Sequence, residues 1–173
     1  SEGNVITTWD VGFCSDSMDI TDTDGPSNRI MCGTAIDSKN NIFVLFNRVR
    51  PGLRMSFYDP NEYFPPAKNF IMKFDSNGHL IKEYKEIYDN KNKKLYDCND
   101  IAIDSKNNIF LSSGVNQCIW KFDSNLNFIT KFGSKNPKDG KLEYPYDIAV
   151  DSRDNVYVVD TGNFCIKKFK LKH

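Results

Sequence analysis

Short apolar runs alternate with polar turns along most of the chain. Ala35-Ile36-Asp37-Ser38-Lys39-Asn40-Asn41-Ile42-Phe43-Val44 sets the pattern. It returns as Ala102-Ile103-Asp104-Ser105-Lys106-Asn107-Asn108-Ile109-Phe110-Leu111, and again as Ala149-Val150-Asp151-Ser152-Arg153-Asp154-Asn155-Val156-Tyr157-Val158. Each copy is an apolar strand, a turn rich in Asn and Asp, and a second strand. Such turns suit hairpins, because Asn and Asp tolerate left-handed backbone and bond their own main chain. A further run follows each copy: Ile71–Phe74, Ile119–Phe122 and Ile166–Phe169. A fourth is Leu80–Tyr84, matched by Phe128–Phe132. Val5–Trp9 fits the same template, which makes Trp9, Tyr84 and Phe132 equivalent aromatics. The runs are too short for helices and rich in β-branched and aromatic residues, so they predict strands.

Four strands recurring about every 47 residues predict a propeller blade rather than a helical repeat. One blade cannot bury both faces of its sheet, so a continuous core requires stacking. The motifs sharpen this reading. Asp160-Thr161-Gly162-Asn163-Phe164-Cys165-Ile166-Lys167-Lys168-Phe169 resembles the D-x-G-N-x-x-I-x-x-F pattern of NHL repeats. Tyr144-Pro145-Tyr146-Asp147-Ile148-Ala149-Val150-Asp151 resembles their P-x-G-I-A-V-D opening, with Asp147 where glycine is usual. Val115-Asn116-Gln117-Cys118-Ile119 repeats the pattern one blade earlier. The resemblance to NHL-repeat β-propellers runs over nearly the whole chain, strongest in the third repeat and weakest in the first. It implies an all-β arc of about three four-stranded antiparallel blades. They are expected at residues 30–89, 98–134 and 145–171, the last partial, with residues 5–10 as an outer strand.

Propellers typically close with about four to eight blades, so three blades should not close alone. Three assemblies follow: a piece of a longer propeller, two chains forming a six-bladed ring, or an open arc capped by a partner. In the ring, Val5–Trp9 of one chain would flank Cys165–Lys170 of the other.

Charge changes the picture little. Lys and Arg total 23, and Asp and Glu total 23. A neutral chain has no global field to attract nucleic acid or acidic lipid, so recognition must come from local patches. No apolar run approaches the roughly 18 residues of a spanning helix, and no membrane association is expected. The five cysteines are odd in number and form no CxxC pair, which argues against a disulfide framework or zinc cluster. Free thiols in a reducing, cytoplasmic compartment are expected, with Cys118 and Cys165 as core fillers. Ser1-Glu2-Gly3-Asn4 is polar, and no secretory leader is expected from it.

Candidate chemistry gathers on the rim shared by the b–c and d–a loops of such blades, with strands lettered a to d from the channel outward. Asp37 and Asp104 are 67 positions apart, but Asp104 and Asp151 only 47. The excess is an insertion over residues 47–69, rich in the Arg and aromatic residues that anchor interfaces. Arg48, Arg50, Arg54, Phe57, Tyr58, Tyr63 and Phe64 are therefore candidate partner-binding residues. Asp100 and Asp147 open equivalent strands near the channel mouth, where Gly33 is the third equivalent. They are candidates for holding a cation or a basic side chain, or for capping local backbone. The acidic loop at Ser15–Arg29 fails the calcium-loop register, with Ile20 at the first ligand position and Met31 at the last.

Three functions compete. The expected one is a non-catalytic protein-interaction scaffold. The alternative is RNA binding through a basic rim of Arg48, Arg50, Arg54, Lys91, Lys93, Lys94, Lys135 and Lys138, with Phe57 and Tyr58 stacking on bases. The third is an enzyme like the propeller lyases and lactonases. That reading lacks histidines in the right place, since His79 falls in a c–d turn and His173 at the terminus. No cofactor, no metal site and no catalytic residue are expected.

Overall fold

The computed structural model describes residues 28–49, 68–133 and 140–171, with only the backbone of 28–30, 48, 49 and 68. The expected strand Val5–Trp9 and most of the insertion lie outside the described residues.

The structure bears out the all-β reading. Three antiparallel sheets are built as meanders, each strand pairing with the next in sequence. The first holds β1 (Asn28–Ile36), β2 (Ile42–Val49), β3 (Lys68–Phe74) and β4 (Leu80–Tyr84). The second holds β5 (Asp100–Ile103), β6 (Ile109–Ser113), β7 (Cys118–Phe122) and β8 (Phe128–Phe132). The third holds β9 (Pro145–Val150), β10 (Asn155–Asp160) and β11 (Cys165–Lys170). Helix among the described residues is limited to one 3-10 turn, Thr161–Asn163.

The repeated turn explains why each a–b hairpin forms. Asp37 Oδ1 accepts the N–H groups of Lys39 and Asn41, both at 2.9 Å, and Oδ2 accepts the Asn41 amide at 2.8 Å. Asp104 repeats this on Lys106 and Asn108, and Asp151 on Arg153 and Asn155. One carboxylate thus replaces the backbone bonds that a tight reversal leaves open. The fourth turn residue takes the left-handed region each time: Asn40 at φ 60°, Asn107 at 64° and Asp154 at 59°.

Each hairpin is then tied to the next strand. Phe43 faces Lys73 across β2 and β3, Phe110 faces Lys121, and Tyr157 faces Lys168. The lysine lies over the ring at 4.7, 5.1 and 5.1 Å respectively. Lys73 also reaches Asp37 at 3.3 Å, and Lys121 reaches Asp104 at 3.5 Å. The ammonium joins the turn carboxylate and the strand aromatic in one stack.

Alternation along the strands builds the core between sheets. On β6, Ile109 and Leu111 pack with Phe43, Leu45 and Ile71 of the first sheet. Between them, Phe110 points the other way, onto Ile148, Val156 and Val158 of the third. Ile119 and Trp120 divide in the same manner. Burying a side chain such as Phe110 contributes about 1.5–3 kcal/mol, so every strand of the middle sheet stabilises both junctions. A separate cluster of Val44, Phe46, Phe70, Met72 and Phe74 lies on the opposite face of the first sheet.

One expectation fails. Cys118 is buried, but its equivalent Cys165 is exposed. Strand β7 is flanked by β8, whereas β11 is the edge strand of its sheet among the described residues. Cys32, Cys98, Cys118 and Cys165 are all free thiols. Burial pushes the Cys118 thiol up to about 11 and raises Cys98 further still, so neither is a ready nucleophile.

Candidate docking rim

The two described b–c loops share one construction. Asp160 of β10 is fully buried. Its carboxylate accepts the Glu143 N–H at 2.6 Å, the Asn163 amide at 2.7 Å and the Lys167 ammonium at 2.8 Å. Burial opposes ionisation, but these three donors outweigh it and hold the carboxyl below its ordinary value. Ser113 stands at the same position in the second sheet. Its hydroxyl donates to the Asp97 carbonyl at 3.1 Å and accepts the Asn116 amide at 2.8 Å. In both loops the polar side chain at the strand end, Asp160 as acceptor and Ser113 as donor, fastens the b–c loop to the d–a loop beside it.

Gly162 shows why the motif carries glycine. Its N–H donates to the Glu143 carbonyl at 2.7 Å, and a Cβ there would stand 2.7 Å from that same oxygen. The Tyr144 carbonyl accepts the Thr161 N–H at 3.3 Å. A Cβ on Gly114 would lie 3.7 Å from Tyr144 Cα. The loops at 113–118, 142–145 and 160–165 therefore form one continuous rim.

That rim exposes large apolar side chains. Val115 is 69% exposed, Tyr144 57% and Phe164 94%. Tyr144 and Phe164 both take the left-handed region, at φ 52° and 53°. The equivalent positions in the second sheet, Asp97 and Gln117, do so as well, at 55° and 51°. The loop geometry is thus set by the repeat, while the aromatic residues are particular to the third. A bulky non-glycine residue at such a φ costs about 1–2 kcal/mol, and strain of this kind concentrates at functional sites.

The candidate residues from the sequence are distributed unevenly. The Arg48 backbone pairs with Arg29 and Lys68 at the end of β2. Its side chain, and Arg50, Arg54, Phe57, Tyr58, Tyr63 and Phe64, lie outside the described residues. Asp100 and Asp147 are described. Both oxygens of Asp100 accept backbone N–H groups, that of Ile101 at 2.8 Å and that of Ile148 in the third sheet at 3.0 Å. Asp100 is therefore a strap between sheets. Burial raises its carboxyl, the two N–H donors lower it, and the nearby Asp147 charge raises it. Asp147 is exposed. Among the described residues, no group of three or more His, Cys, Asp or Glu is placed to hold a metal ion. Lys94 is paired with Glu86, and His79 with Asp75 at 3.0 Å.

Val115, Tyr144 and Phe164 were not singled out from sequence. As pattern positions they look like any apolar residue, and the left-handed φ that turns Phe164 outward has no signature in an aromatic. A buried polar link was also missed. Asn69 donates to Asn47 and accepts the Cys98 N–H at 3.0 Å, which joins the first two sheets.

Repeated meanders stacked face to face through shared core clusters define an arc of the β-propeller class. Residues 142–169 match the NHL repeat family model, and they span the third sheet with its buried Asp160. Solved structures align with the chain at low identity. A protein of unknown function from Bacteroides caccae aligns with a TM-score of 0.50 at 11% identity, over 85% of this chain and 44% of that one. Regucalcin, a calcium-binding protein from Agrobacterium tumefaciens, aligns at 0.42 and 10% identity, over 75% and 37%. Virginiamycin B lyase from Staphylococcus aureus aligns at 0.33 and 12% identity, over 86% and 75%. The chain spans less than half the length of the first two. No curated protein matches the sequence.

Proposed function

We propose that the chain is a non-catalytic interaction module that docks a protein partner on the loop rim of an NHL-type propeller arc. The observation that carries this is the run of exposed apolar residues Val115, Tyr144 and Phe164 on loops tied rigidly to one another. Aromatic anchors on a rigid scaffold are the usual source of interface energy. The polar groups at the same loops are spent on structure: Asp160 binds three donors, and Asp100 two. The arginine-bearing segment that joins β2 to β3 is assigned to the same partner.

The test is a substitution series at Phe164 and Tyr144. Phe164→Gly removes the anchor and relieves its backbone, so partner affinity should fall about tenfold or more while thermal stability holds or rises. Equal affinity in variant and wild type would sink the reading. Binding of single-stranded RNA that survives both substitutions, and weakens steeply with salt, would replace it with the RNA alternative.

A further inference from the structure

The lysine stacked on each hairpin has a carboxylate partner in two sheets and none in the third. Lys73 reaches Asp37 Oδ2 at 3.3 Å, and Lys121 reaches Asp104 Oδ2 at 3.5 Å. Both lysines are half-buried. Their equivalent, Lys168, is exposed and forms no ion pair among the described residues. Two substitutions set the third sheet apart. Tyr157 stands where Phe43 and Phe110 stand. Its hydroxyl donates to Asp151 Oδ2 at 3.1 Å, and the Asn155 amide donates to the same oxygen at 2.8 Å. The place a lysine holds in the other sheets is therefore taken. The second substitution is Lys170. Its equivalents Asp75 and Asp123 are turn carboxylates that accept the N–H groups of Asn77 and His79, and of Asn125 and Asn127.

Tyr157 faces Lys168 and Asn155 faces Lys170 across β10 and β11, so the four share one face of the sheet. Arg153 joins them from the a–b turn. Arg153, Asn155, Lys168 and Lys170 line an open cavity of about 390 Å³, within the roughly 300–1,000 Å³ of small-ligand sites. All three cations are exposed. The carboxylates of the same turn are committed elsewhere. Asp151 binds its own turn and Tyr157, and Asp154 takes the N–H and hydroxyl of Ser105 in the second sheet. The Tyr157 hydroxyl and the Asp151 charge outweigh desolvation and hold the Lys168 ammonium above its ordinary value. In the second sheet the same corner balances, with Lys106 and Lys121 against Asp104 and Asp123. In the third, three cations stand against Asp151 and Asp154.

We infer that this corner of the third sheet is an anion site that binds a small organic phosphate through Arg153, Lys168 and Lys170. A phosphomonoester group carries a charge of about −1.5 to −2 at pH 7 and three acceptor oxygens. It therefore matches three cations better than a single carboxylate does. Arg153 supplies a planar fork for two of the oxygens, and the lysines supply point charges. The remaining volume seats the group that carries the phosphate. The cavity opens where β10 begins, and the docking rim lies beyond its other end, at Asp160. Phosphate binding here is independent of protein docking there.

The experiment titrates the chain with glycerol 3-phosphate and follows backbone amides by NMR. Saturable shifts are expected at Arg153, Tyr157, Lys168 and Lys170. The Lys168→Gln/Lys170→Gln variant should bind about tenfold more weakly or worse. Tyr157→Phe leaves the net charge unchanged but frees Asp151 Oδ2 for Lys168, as in the other two sheets. It should weaken binding about threefold. Phe164→Gly, on the docking rim, should leave phosphate binding as it is. Shifts that never saturate, and that spread equally over the turns at Lys39 and Lys106, overturn the inference as mere surface charge. Unchanged affinity in Tyr157→Phe also overturns it, and so does loss of binding in Phe164→Gly, which moves the phosphate to the rim.

Discussion

Single carboxylates do most of the local work in this chain. Asp160 replaced by Ala leaves the Glu143 N–H, the Asn163 amide and the Lys167 ammonium without their acceptor. A loss of about 1–3 kcal/mol is expected, measured by urea unfolding. The turn carboxylates Asp37 and Asp123, and Asp160, have values held below the ordinary one. Burial raises each, but the bonds they accept outweigh it. A depressed carboxyl stabilises the fold fully above its unfolded value, about 3.9, and that contribution is lost as pH falls through the folded value. Thermal stability should therefore stay level from neutral pH to about pH 5 and drop below about pH 4. Asp100 runs the other way, because its carboxyl is raised. At this scale the sequence was legible where a residue acts on its own turn. Asp37, Asp104 and Asp151 read as turn formers from their Asn-rich neighbours, and the structure places them so. Phe164 was illegible, since its exposure depends on a backbone angle that no aromatic advertises.

Strands and their connections were legible for a different reason. Alternation and β-branched residues mark the strands, and the spacing of 47 positions between Asp104 and Asp151 marks the repeat. What sequence does not give is which strand end reaches the neighbouring sheet. Gly33 and Asp100 are an instance. They read as equivalent positions, yet they touch: a Cβ on Gly33 would stand 2.0 Å from Asp100 Oδ1. Gly33→Ala should destabilise by about 1–3 kcal/mol through overpacking. Removing the obstructing carboxylate in Asp100→Ala should make the pair markedly less than additive, read as coupling in a double-mutant cycle. Full additivity would mean that the two sheets do not meet there. Asn47 and Asn69 were similarly opaque. Two asparagines at strand ends read as loop residues, but one of them is fully buried and bonds across to Cys98.

At the scale of the molecule, the arc has two surfaces of different character. The rim is built by b–c loops that Asp160 and Ser113 fasten to the d–a loops beside them, and it exposes Val115, Tyr144 and Phe164. The opposite end of the third sheet gathers Arg153, Lys168 and Lys170 around an open cavity. The composition pointed to local rather than global recognition, because the net charge is zero, and the rim is local and apolar. The sequence drew attention to the insertion at residues 47–69 through its length. The three residues of the described rim lie in loops of ordinary length, so nothing in the spacing marked them.

The docking reading is tested most directly by affinity capture with the wild-type chain and with a Tyr144→Ser/Phe164→Ser variant of equal thermal stability. The account predicts a protein partner retained by the wild type at high salt and reduced about tenfold or more by the variant. Equal retention by the two chains, or retention of nucleic acid alone with a steep loss as salt rises, would contradict it.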